Sequence, residues 1–429
     1  MNDYREILLK EMVPALGCTE PIAIALCAAK ARELLGKEPE RLHIYCSGNV
    51  IKNTQSVVVP NTGGMAGIAA AGAAGCFGGN AALGLEVLTS MTPQAIARAA
   101  ACIDAGCVQV SHAKGVDNLY IRVVATAGDD QAEATIAGAH NRVTALKKNG
   151  QDMMPTADDM AAAQADAAEG FSVDSILAYA KALDFDAEAE LTARLDKQAD
   201  DNYVIAREGM DNDWGASVGR TLVETYPDDS RARIRAYAAA GSDARMAGCS
   251  RPVVINSGSG NQGMTVSLPL IIYAQDMGVD RDRLRRALVI SNLMAIYIKR
   301  LIGKLSAFCG VVSAAAAAGA GLAWLQGMGE EQIGSVISNT LLTSGGILCD
   351  GAKASCATKI SVSLDNALLA LEMTKRGRLL PEGQGLCGRT ADETIRNVAR
   401  VAREGMKETD DQILETMLYG CAPRPEAAG

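Results

Sequence analysis

Two closely spaced cysteines are the first residues in this chain that could bind a metal. Cys349 and Cys356 lie seven residues apart in ILCDGAKASCATK. On an unbroken helix that spacing would separate the two sulfurs by about 10 Å along the axis, too far for one compact metal centre. The Asp350-Gly351 pair predicts a turn, so a loop can fold the sulfurs toward each other. The local sequence leaves two interpretations open, metal ligands or reduced cysteines that fill the core.

Two further cysteines stand where helices are predicted to begin. Cys309 precedes Gly310 and an Ala-rich stretch, and Cys18 lies in GCTEP, where Thr19 is the predicted N-cap and Pro21 fits the first turn. A helix N-terminus stabilises a thiolate, so we expect a lowered pKa for Cys18 and a favourable place for an anionic iron–sulfur cluster beside Cys309. A partly ionised thiol can act as a base, a nucleophile or a metal ligand. The alternative for each is a cysteine that only packs.

Two glycine-rich loops could hold a small ligand. The loop 258–263 (GSGNQG) follows apolar PVVIN and fits the dinucleotide pattern G-x-G-x-x-G. No later strand ends in an acidic residue at the ribose position, which leaves a nicotinamide dehydrogenase as a distant alternative. The loop is instead expected to offer N–H groups and amides to a carboxylate. The run 59–64 (VPNTGG) is expected to form an opposing wall or simply a tight turn. The predicted substrate contacts are Asn61, Thr62, Gly63, Ser257, Gly258, Gly260, Asn261 and Gln262.

The remaining cysteines and histidines are weaker candidates. His43, His112 and His140 are far apart in the sequence and form no HExxH arrangement, so a zinc site is not expected. Cys387 and Cys421 lie in loop-like sequence near the C-terminus, from which either could approach a cluster. For the other six cysteines the predicted role is packing or a surface position: Cys27, Cys46, Cys76, Cys102, Cys107 and Cys249.

Composition limits the classes of function. The chain has 41 basic and 50 acidic residues, a net charge of 41 − 50 = −9, and only 4% aromatic residues. Nucleic-acid binding requires basic stripes and stacking rings, so we predict a small-molecule substrate. The uncharged runs 60–85 and 307–325 are rich in Ala and Gly, which favours closely packed buried helices over membrane spans. The first residues contain no basic and apolar signal region, so reduced thiols and a cytoplasmic location are expected.

The periodicity predicts an α+β fold with a mixed N-terminal half and a largely helical C-terminal half. RLHIYCSGNV and TQSVVVP alternate like strands, and CVQVSHA, NLYIRVVAT and QAEATIAGAH predict a small antiparallel meander. RPVVINS predicts a short buried strand, and almost everything after Gly263 is predicted to be helical. We therefore predict an α+β domain over 1–250 and a helical catalytic domain over 251–429. The sequence is also compatible with a homo-oligomer.

Taken together, GCTEP, VPNTGG, NSGSGNQG, the Cys309 segment and CDGAKASC resemble the pattern of the L-cysteine desulfidase family, relatives of the iron–sulfur L-serine dehydratases. The resemblance runs from Tyr4 to about Ala402. It implies a [4Fe–4S] cluster bound by Cys309, Cys349 and Cys356, with one iron left open to bind the sulfur of L-cysteine. In the serine dehydratases the later cysteine pair is spaced more widely, so the local loop should differ here.

The resemblance also implies how the reaction proceeds. Cys18 removes the Cα proton, sulfide leaves, and the resulting aminoacrylate hydrolyses to pyruvate and ammonia without pyridoxal phosphate. Whether Cys18 is the base or a fourth cluster ligand stays open. We therefore predict a cytoplasmic iron–sulfur L-cysteine desulfidase, a carbon–sulfur lyase that produces hydrogen sulfide. The alternatives are an L-serine dehydratase or another lyase for β-substituted amino acids, and a non-catalytic iron–sulfur or thiol sensor.

Overall fold

The computed structural model describes residues 3–154, 170–303 and 305–420. The helices are α1 (Tyr4–Glu11), α2 (Thr19–Leu35), α3 (Gly48–Thr54), α4 (Gly67–Gly78), α5 (Pro93–Asp104), α6 (Val173–Ala182), α7 (Ala189–Asp211), α8 (Val218–Thr225), α9 (Ser230–Met246), α10 (Gly260–Met277), α11 (Arg281–Ile302), α12 (Gly310–Leu325), α13 (Glu330–Ser344), α14 (Ser355–Lys375), α15 (Ala391–Arg400) and α16 (Lys407–Tyr419). The strands are β1 (Pro14–Leu16), β2 (Arg41–Cys46), β3 (Val108–His112), β4 (Tyr120–Ala127), β5 (Asp130–Ala137), β6 (Val143–Lys148), β7 (Gln151–Asp152) and β8 (Pro252–Val254).

A mixed six-stranded sheet forms the core of the N-terminal half. Its order is β3-β2-β4-β5-β6-β7, and every neighbouring pair is antiparallel except β2 with β3, which is parallel. The predicted α+β class is confirmed. The predicted meander differs in one strand, because CVQVSHA does not pair with NLYIRVVAT. It lies beyond β2 at the edge of the sheet, since the helices between β2 and β3 let the chain cross over and return in the same direction.

Small residues let two helices pack closely against this sheet. Helix α2 lies on β4 and β5 and contacts α4 along its length. A Cβ atom on Gly75 of α4 would collide with the backbone oxygen of Ala25 in α2, and one on Gly72 would collide with Ile44 of β2. The uncharged run 60–85 therefore contains a buried helix, as predicted. TQSVVVP forms no full strand and contributes only an isolated bridge between Val58 and Ala66.

A two-stranded ribbon joins the N-terminal segment before α2 to the segment before α10. β1 pairs antiparallel with β8. One further hydrogen bond extends this pairing, in which the Ile255 N–H donates to the Val13 carbonyl at 3.0 Å. This confirms the buried strand predicted at RPVVINS. The ribbon fixes the segment before Cys18 against the segment before the glycine-rich loop, although more than two hundred residues separate them in the sequence.

The C-terminal half consists of helices around a buried central helix. α12 packs against α10, α11, α13 and α14, and its run from Val311 to Ala323 is buried throughout. Across the described ranges, no helix is long and apolar enough to cross a membrane. Helix α9 precedes residue 250 in the sequence, yet it packs against α10 and α14, which follow that residue. The domain boundary at that residue stays a prediction.

Candidate active site

A cavity of about 100 Å³ lies where four segments of the chain meet. These segments are the start of α2, the loop before α10, the start of α12 and the loop that leads into α14. The structure thus brings Cys18, Cys309, Cys349 and Cys356 around one cavity, together with the glycine-rich loop. None of these four cysteines was close to the others in the sequence except the last two.

Cys309 and Cys349 are held side by side by a short antiparallel pairing. The Cys309 N–H donates to the Ile347 carbonyl at 3.1 Å, and the Cys349 N–H donates to the Ala307 carbonyl at 2.7 Å. The Cys309 thiol donates a hydrogen bond to the Cys349 sulfur, which lowers the pKa of Cys349 and raises that of Cys309. Cys309 is also the N-cap of α12, as its sequence context predicted.

Cys356 reaches the same cavity from the first turn of α14. Its sulfur lies 3.7 Å from the Gly351 carbonyl oxygen, and burial raises the pKa of its thiol. Gly351 has a φ of +94°, and a Cβ there would collide with the carbonyl oxygen of Lys52. The predicted turn at Asp350-Gly351 therefore depends on glycine, both for its backbone angle and for its close packing.

Two buried lysines accompany these cysteines. The Lys52 ammonium donates to the Cys349 carbonyl at 3.3 Å and forms an ion pair with Asp410 at 2.5 Å. Burial lowers the pKa of Lys299, while the nearby sulfurs of Cys349 and Cys309 act in the opposite direction. We call Cys309, Cys349, Cys356, Lys52 and Lys299 the three-cysteine corner. The charges of Lys52 and Lys299 both contribute to lowering the pKa of Cys349.

The donor set of this corner fits an iron–sulfur cluster better than a single ion. Among the described residues, no three His, Cys, Asp or Glu side chains are arranged to hold one metal ion. In a [4Fe–4S] cluster each cysteine binds a different iron, so its thiolates need not converge on one point. Three cysteines that line one cavity match the ligand type of such a cluster, and two lysines line the same cavity.

Cys18 lines the same cavity in different surroundings, and Cys356 packs against the small apolar cluster that contains it. It is the N-cap of α2, a place predicted for Thr19, and its thiol donates to Glu20 Oε2 at 3.3 Å. Burial and the negative charge of Glu20 raise the pKa of Cys18 well above its ordinary value. The lowered pKa expected from the helix N-terminus is therefore wrong, because desolvation and a carboxylate outweigh the helix dipole.

Glu20 organises this side of the cavity. Its Oε1 accepts from Asn53 Nδ2 at 2.9 Å and lies 3.5 Å from His140 Nε2, while Thr19 Oγ1 donates to its Oε2 at 3.1 Å. Burial raises the pKa of Glu20, but the contacts with His140 and Asn53 outweigh it and lower the pKa to about 2. Glu20 is thus a carboxylate at neutral pH. We call Cys18, Glu20, Asn53 and His140 the Cys18 corner.

The glycine-rich loop lines the same cavity and contacts the Cys18 corner. Ser257, Gly258, Asn261 and Gln262 line the cavity, and the Gly258 carbonyl accepts from Thr19 Oγ1 at 2.8 Å. Gly258 has a φ of +79°, and a Cβ there would lie 2.9 Å from the His140 ring. The loop therefore needs glycine where it meets the Cys18 corner.

Two other members of the loop show what it can offer a ligand. Gly260 starts α10 beneath the Arg245 guanidinium, where a Cβ would collide with Nε. Gln262 is buried, and its Oε1 has no hydrogen-bond partner among the described residues. A Cβ on Gly310 would lie 2.7 Å from the Gln262 side chain, so α12 also begins in close contact with the loop.

The VPNTGG loop lies behind this arrangement. Asn61 Nδ2 donates to the Leu88 carbonyl at 3.0 Å, and Thr62 Oγ1 donates to the Val59 carbonyl at 2.7 Å. Neither these two residues nor Gly63 is among the residues that line the cavity within the described ranges. A Cβ on Gly17 would lie 2.7 Å from Pro60, so the loop supports the backbone just before Cys18.

Several residues of the site escaped the sequence analysis. Glu20 stands inside the GCTEP motif, where an acidic residue in the first turn of a helix looks ordinary. The charge of Lys299 in the apolar run MAIYIKRL was a usable signal, since a lysine in such a run is buried or functional. Nothing local marked the others, Asn53, Lys52, His140 and Arg245.

The sequence left open whether Cys387 or Cys421 approaches the cluster site. Cys387 lies at a separate cavity of about 620 Å³, where its sulfur is 3.8 Å from the Gly388 carbonyl oxygen and 4.0 Å from that of Leu380. It is not among the lining residues of the active-site cavity. Cys421 lies outside the described residues.

Comparison with known proteins identifies relatives along the whole chain. The profile of the family described as "Serine dehydratase alpha chain" matches residues 82–415. A "UPF0597 protein" of Lachnoclostridium phytofermentans is 45% identical over 417 residues, covering 96% of this chain and 98% of the relative. The UPF0597 protein of Finegoldia magna is 44% identical over 423 residues, with 97% and 100% covered. That of Treponema denticola is 39% identical over 422 residues, with 97% of each chain covered.

Proposed function

The chain belongs to the serine dehydratase alpha chain family, and from this premise we propose that it is an iron–sulfur-dependent L-cysteine desulfidase. Membership of the family makes it a serine dehydratase-like lyase of iron–sulfur character. The finer proposal is cleavage of L-cysteine to sulfide, pyruvate and ammonia. The cysteines among the described residues are free thiols, which supports a reducing compartment such as the cytoplasm.

The observation that carries the proposal is the meeting of the two corners at one cavity. Cys309, Cys349 and Cys356 would hold a [4Fe–4S] cluster, since they bring three thiol ligands to one cavity next to two lysines. When bound, such a cluster supplies an open iron that can act as a Lewis acid toward the sulfur of the substrate. Cys18 faces the same space and is available for proton transfer.

The substrate would bind between the corners through its charged groups. The Glu20 carboxylate is suited to the α-ammonium group, and the start of α10 with Asn261 and Gln262 is suited to the carboxylate. The VPNTGG loop, with Asn61, would act by holding the backbone before Cys18 in place. This arrangement orients Cα between a proton acceptor and the three-cysteine corner.

Cys18 is proposed to remove the Cα proton, and it must first give its own thiol proton to solvent water. The negative charge of Glu20 is one cause of the raised pKa of Cys18. An α-ammonium group beside Glu20 would cancel that charge and lower the pKa of the thiol, so substrate binding itself favours the thiolate. The thiolate then accepts the Cα proton, the Cβ–S bond breaks, and sulfide departs with the bonding electrons. The aminoacrylate product tautomerises to an imine, which water hydrolyses to pyruvate and ammonia.

An L-serine dehydratase is the second candidate, because the family description names serine. The family profile begins at residue 82, so Cys18 and Glu20 lie outside the matched segment. The family profile therefore does not cover the proposed base and the carboxylate beside it. A hydroxyl is a poorer leaving group than a thiol, so serine would make greater demands on the same site.

The test is anaerobic purification, followed by assays of iron, acid-labile sulfide and products. L-cysteine and L-serine are supplied side by side at equal concentration. The proposal expects iron and labile sulfide in the protein, and release of sulfide and pyruvate from L-cysteine at a higher kcat/KM than pyruvate from L-serine. Faster turnover of L-serine would favour the dehydratase. Iron-free protein after cluster reconstitution, or bound amino acid without product, would contradict both.

A further inference from the structure

Arg245 is a buried cation without a carboxylate partner among the described residues, and its charge acts on the nearby thiols of Cys18 and Cys356. It lies in the last turn of α9, is 2% exposed and lines the active-site cavity. Its Nε donates to the Gly17 carbonyl at 3.0 Å, and its Nη1 donates to Asn261 Oδ1 at 3.1 Å. Both partners are neutral. Within the described ranges, no Asp or Glu forms an ion pair with this guanidinium.

Burying a guanidinium without an anion costs free energy, so its position calls for a negative group in the cavity. The two hydrogen bonds fix the plane of the group and leave Nη2 without a protein partner among the described residues. A planar guanidinium held in this way matches the two oxygens of a carboxylate.

The start of α10 provides an independent reason to expect an anion at the same place. Gly260 lies directly beneath the guanidinium, because a Cβ there would collide with Arg245 Nε. The N–H groups of Gly260 and Asn261 have no acceptor in the described part of the chain, whereas that of Gln262 donates to Ser259 Oγ at 3.4 Å. The start of an eighteen-residue helix therefore brings unpaired N–H groups next to a guanidinium.

We infer that Arg245 is the residue that selects substrates with an α-carboxylate, by pairing with that group at the start of α10. The inference rests on the amino-acid site proposed above. It adds the one full positive charge that the glycine-rich loop lacks. Asn261 then serves as a positioning residue, because its side chain holds Nη1.

Arg235 offers a matched control on the same helix. It lies ten residues before Arg245 in α9 and pairs with Asp365 at 2.9 Å, away from the cavity. Its charge is therefore already balanced by the protein. Removing it tests whether the loss of any arginine from α9 affects ligand binding.

The experiment is calorimetry on anaerobically prepared full-length protein with two probes that cannot undergo elimination. L-alanine carries the α-carboxylate, and L-alaninamide lacks it. We expect wild-type protein to bind L-alanine more tightly than L-alaninamide by about tenfold or more, the contribution of a charged hydrogen-bond pair. Arg245→Gln should remove this difference, Arg245→Lys should keep part of it, and Arg235→Gln should leave it unchanged. Iron content and thermal unfolding are measured on every variant.

Three results would overturn the inference. The first is wild-type protein that does not distinguish the two probes. The second is an unchanged difference in Arg245→Gln, or in Arg245→Lys if the glutamine variant does not fold. The third is loss of iron in both Arg245 variants but not in Arg235→Gln, which would assign the guanidinium to the cluster. Discrimination between the probes without sulfide release from L-cysteine would instead contradict the desulfidase proposal and leave Arg245 as a carboxylate site.

Discussion

The Cys18 corner and the three-cysteine corner place the same residue type in opposite electrostatic surroundings. Cys18 and Cys309 are both N-caps of buried helices. Cys18 faces the carboxylate of Glu20 and has a raised pKa, whereas the Cys309–Cys349 pair lies beside Lys52 and Lys299, and the pKa of Cys349 is lowered. Burial is the largest cause of the raised pKa of Cys18 and the charge of Glu20 adds to it, whereas the hydrogen bond from Cys309 is the largest cause of the lowered pKa of Cys349 and the charge of Lys52 adds to it.

This difference matches the two tasks that the proposed reaction sets. Cluster ligands must be thiolates, and the charges of Lys52 and Lys299 favour that form at Cys349. A residue that exchanges protons must be able to hold one, and Glu20 keeps Cys18 protonated until a cation arrives. Each of the following experiments changes one corner and uses the other as its reference.

The largest expected effect is loss of the cluster after replacement of any ligand cysteine. Cys309→Ser, Cys349→Ser and Cys356→Ser should each lose nearly all iron, because three thiolates are the complete proposed ligand set. Anaerobic iron and labile-sulfide assays measure the outcome. Cys102→Ser is the matched control, since Cys102 is partly buried in α5 and does not line the cavity. Normal iron content in all three ligand variants would show that these cysteines do not bind the cluster.

Next in size is the effect of removing the negative charge from the Cys18 corner. Because the Glu20 carboxylate raises the pKa of Cys18, Glu20→Gln should lower that pKa by about 1–2 units. The measurement is the rate of Cys18 alkylation against pH in iron-free protein, followed by peptide mass spectrometry. Glu133→Gln serves as control, because Glu133 is buried in β5 and pairs with Arg122. A pKa that stays constant or rises in Glu20→Gln would show that burial alone sets it.

The mirror experiment removes a positive charge from the three-cysteine corner. Lys52→Met should raise the lower apparent pKa of the Cys309–Cys349 pair by about one unit, because the ammonium favours the thiolate. Alkylation of the pair against pH in iron-free protein measures the shift. Lys197→Met, which removes an exposed lysine of α7, is the control. If Lys52→Met leaves the pair unchanged, the hydrogen bond between the two sulfurs accounts for the ionisation by itself.

A smaller effect is expected from Gly258→Ala. Alanine would have to adopt the φ of +79° that Gly258 has, and its Cβ would lie 2.9 Å from the His140 ring. The Cys18 corner should therefore shift while the cysteine ligands stay in place. We expect kcat for L-cysteine to fall several-fold with iron content unchanged. Gly278→Ala also has a positive φ but nothing within 4 Å of its Cβ, and it separates backbone strain from the collision. Equal losses in both variants would argue against a role for His140 packing.

The sequence predicted those parts of the fold and site that have a local cause. The starts of α2 and α12 follow from the helix-start patterns at GCTEP and at Cys309, and the turn at Gly351 follows from Asp-Gly. The predicted pairing of β3 was wrong. A meander is the simplest pairing of successive strands, and nothing in the local sequence indicated that β3 would pair in parallel with β2.

The rest of the site depends on contacts between distant segments. His140 looked isolated in the sequence, and it meets Glu20 because the connection between β5 and β6 lies near the start of α2. Arg245 approaches Gly17 and Asn261 through the packing of α9 and the β1–β8 ribbon. The pKa of Cys18 was misjudged for the same reason, since neither its burial nor the inward position of Glu20 is visible in GCTEP.

The most direct test of the division between the corners is one variant, Cys18→Ala, assayed anaerobically for iron and for sulfide release from L-cysteine. If Cys18 transfers protons and the three other cysteines bind the cluster, the variant keeps wild-type iron and labile sulfide while kcat falls by about 10²–10⁴-fold, the usual contribution of a general base. Loss of iron in Cys18→Ala would make Cys18 a fourth ligand. Wild-type turnover with full iron content would contradict its proposed role in proton transfer.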